Sequence, residues 1–348
     1  MILIKLSHYG LDEQFLTLLN EYFKHRVQRV CYNGTYSSYC DTTSGVIQGS
    51  IIGPTLFSVF INDLLASIRH CSCLLYVDDI KVFKCITKER YIDDMMELQS
   101  DINQIVTWSK LWQLPIKIEK CHCMVFHNNS NSMTDYSVSY SINGQIIDNC
   151  CSIKDLGVTF DCTMSFNNHI QMVATKAAKS CYLISKCFRF SSIKVHIKLY
   201  KTFILPIIEY ASSVWSPNSQ KLIDVIEHVQ RRYTHLVFKG QHGGYFNHLK
   251  ICGLSSLTLH RVYLDCCLLY KMIKTPYSNL NLDGYDLRLS RHPSRPNDIL
   301  QKLVSSKWSS KKFSRCVAVN WNVLPTCIKE AKNIGAFKKL YHNSMLHQ

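Results

Sequence analysis

The sequence is poor in acid, in proline and glycine, and in long apolar runs. Only 25 of 348 residues are Asp or Glu against 40 Lys or Arg, a net +15 that favours a polyanionic partner, nucleic acid or an anionic membrane. With 8 prolines and 13 glycines the chain cannot be collagen-like or dominated by linkers. Hydrophobic residues at 47% and charged residues at 19% exclude global disorder. No stretch reaches the roughly 18 apolar residues of a membrane span; the run from Ile51 to Ile61 is short and Asp63 follows it. No secretory apolar segment opens the chain, because Met1-Ile2-Leu3-Ile4 meets Lys5 at once. C-x-x-C is also lacking, and Cys121-His122-Cys123 reads as alternation along a strand rather than a zinc site. Seventeen cysteines are about one residue in twenty, below the roughly 8–10% of a disulfide scaffold. The expectation is a protein that is not secreted and does not enter a membrane, held in the nucleus or cytoplasm with free, mostly buried thiols.

What is present divides into two characters. Up to about residue 160 the chain mixes helices and strands. Leu3, Leu6, Tyr9, Phe15, Leu18, Leu19 and Phe23 keep helical spacing around a break at Gly10. Asn33-Gly34 between apolar runs predicts a hairpin over 28–39. Pro54 suits the first turn of a helix running to about Ile68. Cys71 to Phe83 reads as strand, tight turn, strand, and 91–111 as a helix with an apolar stripe through Ile92, Met95, Met96, Ile102, Ile105, Val106 and Trp108. Strands follow over 121–127 and 136–142, with a turn at Asn143-Gly144. Beyond about Asp161 one helix follows another; Leu222, Val225, Ile226, Val229, Tyr233 and Leu236 are spaced i, i+3, i+4, i+7. The polar stretch 282–297 is the best linker candidate.

The sharpest chemistry lies in Tyr76-Val77-Asp78-Asp79. Adjacent carboxylates at the tip of an apolar hairpin repel each other and resist desolvation unless a cation joins them. Mg²⁺, or Mn²⁺ in its place, is a hard ion suited to one or two carboxylates plus substrate phosphates. The plainer reading is that Asp simply favours turns. Asp93-Asp94 serves as a control: helical neighbours do not share a face, so that pair reads as solvated surface.

Gly45-Val46-Ile47-Gln48-Gly49-Ser50-Ile51-Ile52-Gly53-Pro54-Thr55-Leu56-Phe57 leads into Ile61-Asn62-Asp63-Leu64, and Asp78 follows Gly53 by 25 residues. This series resembles the reverse transcriptases of non-LTR (LINE-type, jockey-like) retrotransposons, with Ile47 in place of the usual Pro, Ile52 of Leu and Val77 of Ala. The resemblance extends through Trp108-x₃-Trp112, Lys120-Cys121, Asp155-Leu156-Gly157-Val158, Glu209 to Pro217, and Ile226-Glu227-His228-Val229-Gln230-Arg231-Arg232. It departs at Lys117, where the family commonly has Asn.

The resemblance implies an α+β fold: the C-terminal part of a polymerase palm (antiparallel sheet with helices) over 1–160, a helical thumb over 161–240, and a helical C-terminal region over 241–348. It further implies Mg²⁺ on Asp78 and Asp79, the nucleotide beside Gln48 and Gly49, and Lys120 as proton donor to the leaving pyrophosphate. The partners implied are an RNA template, a DNA primer and deoxynucleotides, for RNA-directed DNA synthesis. Without the family, Gly49 and Gly53 read equally as turn residues, Lys120 as one exposed lysine among many, and Arg231 and Arg232 beside Tyr233 as a solvated helix face or a phosphate-and-base contact. The family's third carboxylate stands on a strand before the helix that here begins at Met1, so an N-terminally truncated, inactive enzyme is expected. The alternatives are a non-catalytic basic nucleic-acid-binding remnant and a repurposed scaffold.

Overall fold

A computed structural model describes residues 1–47, 49–127, 139–239, 243–274, 282, 287–290, 299–301 and 313–345. They form two units, one of Met1–Cys123 and Thr134–Cys150, the other of Met124–Met133 and Cys151–Gln348.

In the first unit Gly10, at φ +80°, breaks helical continuity as the spacing predicts, giving α1 (Ile2–His8) and α2 (Glu13–Phe23). Asp12 caps α2, its carboxylate accepting from the Gln14 backbone N–H at 3.2 Å. A long ribbon follows, in which β1 (Val27–Gln28) pairs with β4 (Cys40–Asp41), and β2 (Cys31–Tyr32) with β3 (Thr35–Tyr36), across the Asn33-Gly34 turn. Pro54 sits in the first turn of α3 (Gly53–Ile61), which tightens into a 3₁₀ turn over Asn62–Ser67. Strands β5 (Ser72–Tyr76) and β6 (Asp79–Phe83) pair antiparallel and precede α4 (Tyr91–Leu111). The unit closes with β7 (His122–Cys123), β8 (Ser141–Ile142), β9 (Gln145–Ile146) and β10 (Asp148–Asn149), where β7 and β10 run parallel. Of the strands expected over 121–127 and 136–142, only 122–123 and 141–142 appear; 128–138 lie outside the described residues.

The cores of this unit are small. Leu6, Leu19 and Leu56 form one; Ile61, Leu64, Ile105 and Trp108 form another, with Leu75, Ile80 and Val82 of the hairpin packed on it. The opposite hairpin face leaves Leu74 and Tyr76 58% and 59% exposed. The stripe expected on α4 is corrected: Ile92 and Met96 face solvent, while Asp94 and Asp101 are buried. Asp94 is therefore not solvated surface. Its carboxylate accepts from the backbone and hydroxyl of Thr87, at 3.0 and 3.2 Å, and Lys84 lies 3.7 Å away. The backbone hydrogen bond from Thr87 holds its carboxyl below the usual range.

The second unit starts with the β11 (Ser152–Asp155) and β12 (Val158–Asp161) hairpin and is otherwise mostly helical: α5 (Asn167–Cys187), α6 (Ile193–Leu199), α7 (Leu205–Glu209), α8 (Ser212–Trp215), α9 (Gln220–Val237), α10 (Gly244–Cys252) and α11 (Leu257–Lys274). Strands β13 (Leu287–Leu289) and β14 (Ile299–Gln301) pair within and just beyond the stretch read as a linker, and Leu287 is buried; 283–286 and 291–298 lie outside the described residues. Helices α12 (Phe313–Asn322), α13 (Thr326–Lys329) and α14 (Ile334–Met345) follow. The periodic residues of α9 bury Ile226, Val229 and Tyr233 against Ile170, Ala177, Tyr200 and Trp215, while Leu236 is 44% exposed. A second core joins Tyr270, Trp321, Phe337 and Tyr341.

All seventeen cysteines are free thiols, but only Cys181, Cys252, Cys266 and Cys267 are buried, which corrects the expectation that most are. No described helix is long and apolar enough to cross a membrane.

Candidate active site

The register of β5 and β6 pairs Tyr76 with Asp79, so Val77 and Asp78 alone form the tip. Two-residue hairpin loops need positive φ to follow the strand twist. Val77 supplies it at φ +55°, a conformation β-branched residues rarely adopt. Strain at a turn bearing two acids marks a position the surroundings over-determine. Asp78 and Asp79 are both exposed, and no described residue hydrogen-bonds or ion-pairs with either carboxylate. Their hard, uncommitted oxygens fit a divalent cation approached from the tip. They offer it ligands from one hairpin only; among the described residues no group of three His, Cys, Asp or Glu could hold a metal ion.

The hairpin is held from its far end. Asp101, fully buried on α4, accepts from the backbone N–H groups of Arg69, His70 and Cys71 at 3.1, 2.9 and 2.8 Å. Burial works to raise its pKa, yet these hydrogen bonds outweigh it and hold the carboxyl low. At the exit of β6, Lys84 bridges to Glu97 at 2.5 Å, and Arg90 reaches the same carboxylate at 2.9 Å. Asp94, Glu97 and Asp101, at helical spacing i, i+3 and i+7, make a polar ladder that fixes both strands at the end away from the tip. Sequence reading missed it, since those acids look like an ordinary wet face.

The other predicted residues divide. Gln48 lies outside the described residues. Gly49 sits in the loop before α3 at φ +82° with open space where a Cβ would stand, so conformation rather than crowding demands glycine. Gly53 differs: an added Cβ would stand 2.7 Å from the Ser50 hydroxyl, which accepts from the Gly53 N–H. Lys120 ends a 3₁₀ turn (Ile118–Lys120) and is exposed, with no hydrogen bond or ion pair to the acidic tip.

One assembly was not anticipated. Lys5, 4% exposed on α1, donates to Asp63 at 2.6 Å and to the Phe60 carbonyl. Its ammonium also lies 3.7 Å from the Trp112 ring centre and 4.7 Å from that of Trp108. Trp108 donates its indole N–H to the same Asp63 oxygen at 3.2 Å. Burial lowers the Lys5 pKa and the Asp63 contact opposes that. The signal was a lone lysine inside an apolar helix, matched by one acid in Ile61-Asn62-Asp63-Leu64. The pair ties α1 and α4 to the turn after α3.

In the second unit Gly157 sits at φ +85° in the β11–β12 turn, where a Cβ would press on the Tyr210 ring at 3.0 Å. Tyr210 donates to the Leu156 carbonyl at 2.7 Å, and Trp215 donates to the Tyr210 carbonyl at 2.8 Å. His169, buried against Trp215, accepts from the Thr159 N–H at 3.2 Å. Arg231 and Arg232 are exposed on α9, but Tyr233 is 2% exposed and stacked on Tyr200, so it cannot stack a base.

Residues 3–160 match the family profile described as reverse transcriptase (RNA-dependent DNA polymerase). The chain is 28% identical over 231 residues to the RNA-directed DNA polymerase from mobile element jockey of Drosophila melanogaster, covering 63% of this chain and 24% of the relative. Its counterpart in Drosophila funebris is 27% identical over 234 residues, covering 64% and 25%. The probable RNA-directed DNA polymerase from transposon BS of Drosophila melanogaster is 24% identical over 299 residues, covering 82% and 29%. The chain thus spans about a quarter of the length of the curated relatives it matches. The turn that carries Asp78 and Asp79 lies inside the matched segment, and residues 3–160 belong to the reverse transcriptase family, in a chain related to the LINE-type, jockey-like non-LTR retrotransposon enzymes.

Proposed function

We propose that this chain supplies part of an RNA-directed DNA polymerase centre, with the acidic tip of β5–β6 as its metal-binding element. The observation that carries this reading is the pair Asp78 and Asp79: two exposed carboxylates without partners among the described residues, on a strained turn clamped through Asp101. Their role is to hold Mg²⁺, or Mn²⁺, against the phosphates of a deoxynucleotide. A bound pair of such ions lowers the charge barrier to in-line phosphoryl transfer. Gly49 lets backbone approach the nucleotide closely, Gln48 places an amide beside it, and Lys120 donates a proton to the leaving pyrophosphate. Residues 1–160 correspond to a palm, 161–240 to a thumb and 241–348 to a further helical region, with an RNA template and a DNA primer as partners in the nucleus or cytoplasm.

Transfer of this kind needs a carboxylate from a second strand, and the described residues offer no such third acid beside the tip. The 348 residues alone are therefore expected not to extend a primed RNA template with Mg²⁺ or Mn²⁺. Fusion to a palm strand from a related element should restore extension, and Asp78→Asn in that fusion should reduce it at least 10²-fold, since misplacing a reacting group by about 1 Å costs that much. Extension that survives Asp78→Asn overturns the reading. A chain that binds nucleic acid but never extends, fused or not, would favour the non-catalytic remnant to which the +15 charge also points.

A further inference from the structure

The ribbon between α2 and α3 has no task in the reading above. Every residue from 27 to 41 is exposed, and between Glu21 and Asp41 the sequence carries Lys24, Arg26 and Arg29 without one acid. The β2–β3 register places Tyr36 opposite Cys31 and Tyr32 opposite Thr35, so the two tyrosines take opposite faces. On one face the Arg29 guanidinium lies 3.8 Å from the Tyr36 ring centre and 4.9 Å from that of Tyr39. Arg29 makes no ion pair with a described carboxylate. On the other face Val30 and Tyr32 are 69% and 76% exposed. Two-stranded ribbons are at best marginal in water, and no described residue covers this one. The contrast with Lys5 is instructive, since that cation is buried in its aromatic cage and ion-paired, whereas Arg29 and its tyrosines are open to solvent.

A ligand for such a surface must supply negative charge and flat π-faces together. Acidic peptides supply the charge without the faces, and a duplex keeps its bases stacked inside. Unpaired nucleotides offer both, with phosphates for the arginine and bases that stack on tyrosine. We propose that the ribbon 26–42 docks single-stranded nucleic acid, Arg29 pairing a phosphate while Tyr36 and Tyr39 stack successive bases, and Tyr32 presents a second stacking face. The guanidinium is already oriented by its two rings, so little side-chain freedom remains to be lost on binding. The proposal rests on the nucleic-acid half of the polymerase reading and not on its catalytic half.

The test is fluorescence anisotropy of the whole 348-residue chain in EDTA, with labelled single-stranded RNA, single-stranded DNA and a blunt duplex, at several salt concentrations. Tyr36→Ala with Tyr39→Ala removes two stacks and should weaken both single strands by more than about tenfold, the scale of one lost base–aromatic stack. It should leave the duplex unchanged, and Tyr36→Phe with Tyr39→Phe should bind as the parent. Arg29→Ala should reduce the salt slope by about one. Equal single-strand binding by the parent and the double alanine variant overturns the proposal, as does weakening by Arg29→Ala alone, which would mean attraction of phosphate without stacking. Competition by polyglutamate as effective as by RNA would point to an acidic protein instead and also overturn it. If the parent shows no salt-sensitive binding at all, the nucleic-acid reading falls with it, an outcome distinct from failure of the ribbon alone.

Discussion

The two units spend their apolar residues differently. Among the described residues the first gathers four and three buried hydrophobics in two small cores, buries Val106, Tyr140, Ile142 and Ile147 besides, and leaves Leu74, Tyr76, Tyr32 and Ile51 largely in water. The second buries fourteen and sixteen in its two cores, including Trp215, Trp321, Tyr200 and Phe337 at 1% exposure or less. Stability follows buried apolar area, so the proposed metal-binding tip sits on the unit with less of it. What the first unit lacks in packing it replaces with charge: Asp94, Glu97 and Asp101 on the hairpin, and Lys5 on Asp63. Such polar clamps fix geometry more than they add free energy, because each carries its own desolvation cost.

That contrast can be broken most forcefully in the helical unit. Trp215→Ala removes a fully buried indole together with its hydrogen bond to the Tyr210 carbonyl, and should cost about 3–5 kcal/mol. Guanidinium unfolding followed by far-UV circular dichroism would read the loss. A cost under about 1 kcal/mol would mean that the helical core is not what stabilises that unit.

Next in size is the clamp. Asp101→Ala leaves three backbone N–H groups without their acceptor, and should cost about 2–3 kcal/mol. The loss should be local, so hydrogen exchange across 72–83 should quicken while that of α5 and α9 stays unchanged. Exchange that quickens equally in both units would show that the clamp's effect is not local.

Two buried acids, one in each unit, respond to pH with opposite sign. Asp101 titrates lower in the folded chain than in the unfolded one. Its contribution is complete above the ordinary Asp value of about 3.9 and is lost as pH falls through the folded value. Asp265 behaves oppositely. Burial lifts it to about 6, against the Ser213 hydrogen bond and the nearby Arg261 charge. The folded chain then holds a proton that the unfolded chain has released, so stability falls as pH rises from about 4 to about 6. Asp265→Asn should flatten that dependence in the second unit and leave the first untouched, which unfolding midpoints between pH 4 and 7 would show.

The smallest expected effect concerns the tip. Val77→Gly removes the cost of a β-branched residue at φ +55° and should stabilise the hairpin by about 1 kcal/mol or less, offset by the added freedom of glycine when unfolded. Destabilisation would show that the Val77 side chain contributes more than its backbone strain costs.

The comparison also shows which features could be read along the chain. Spacing located α1, α2 and α9, because an amphipathic stripe is a local record of which face is buried; on α4 it gave the element but put Ile92 and Met96 on the wrong face. Asn33-Gly34, Gly10 and Pro54 marked turns and starts, since those residues restrict or free φ on their own. The order of glycines, Ile61-Asn62-Asp63-Leu64 and Asp78-Asp79 located the candidate site, whose two acids are neighbours in sequence as in space. The linker reading over 282–297 did not anticipate that Leu287–Leu289 pairs with Ile299–Gln301, because a two-strand ladder of three residues leaves too short a pattern.

What sequence alone determined is therefore local: element types, turn positions, the acidic tip, and the basic surplus that calls for a polyanion. Tertiary structure decided which polar groups are interior. Asp94 and Asp93 are identical in type and adjacent, yet one is clamped under the hairpin and the other is solvated. Tyr233 and the exposed tyrosines of the ribbon are equally good stacking residues by composition, yet only the latter are accessible. Lys5 looks like a break in an apolar helix until Asp63 and two tryptophans, more than fifty residues away, close around it. Whether a polar side chain is buried depends on partners distant in sequence, and no local pattern encodes them.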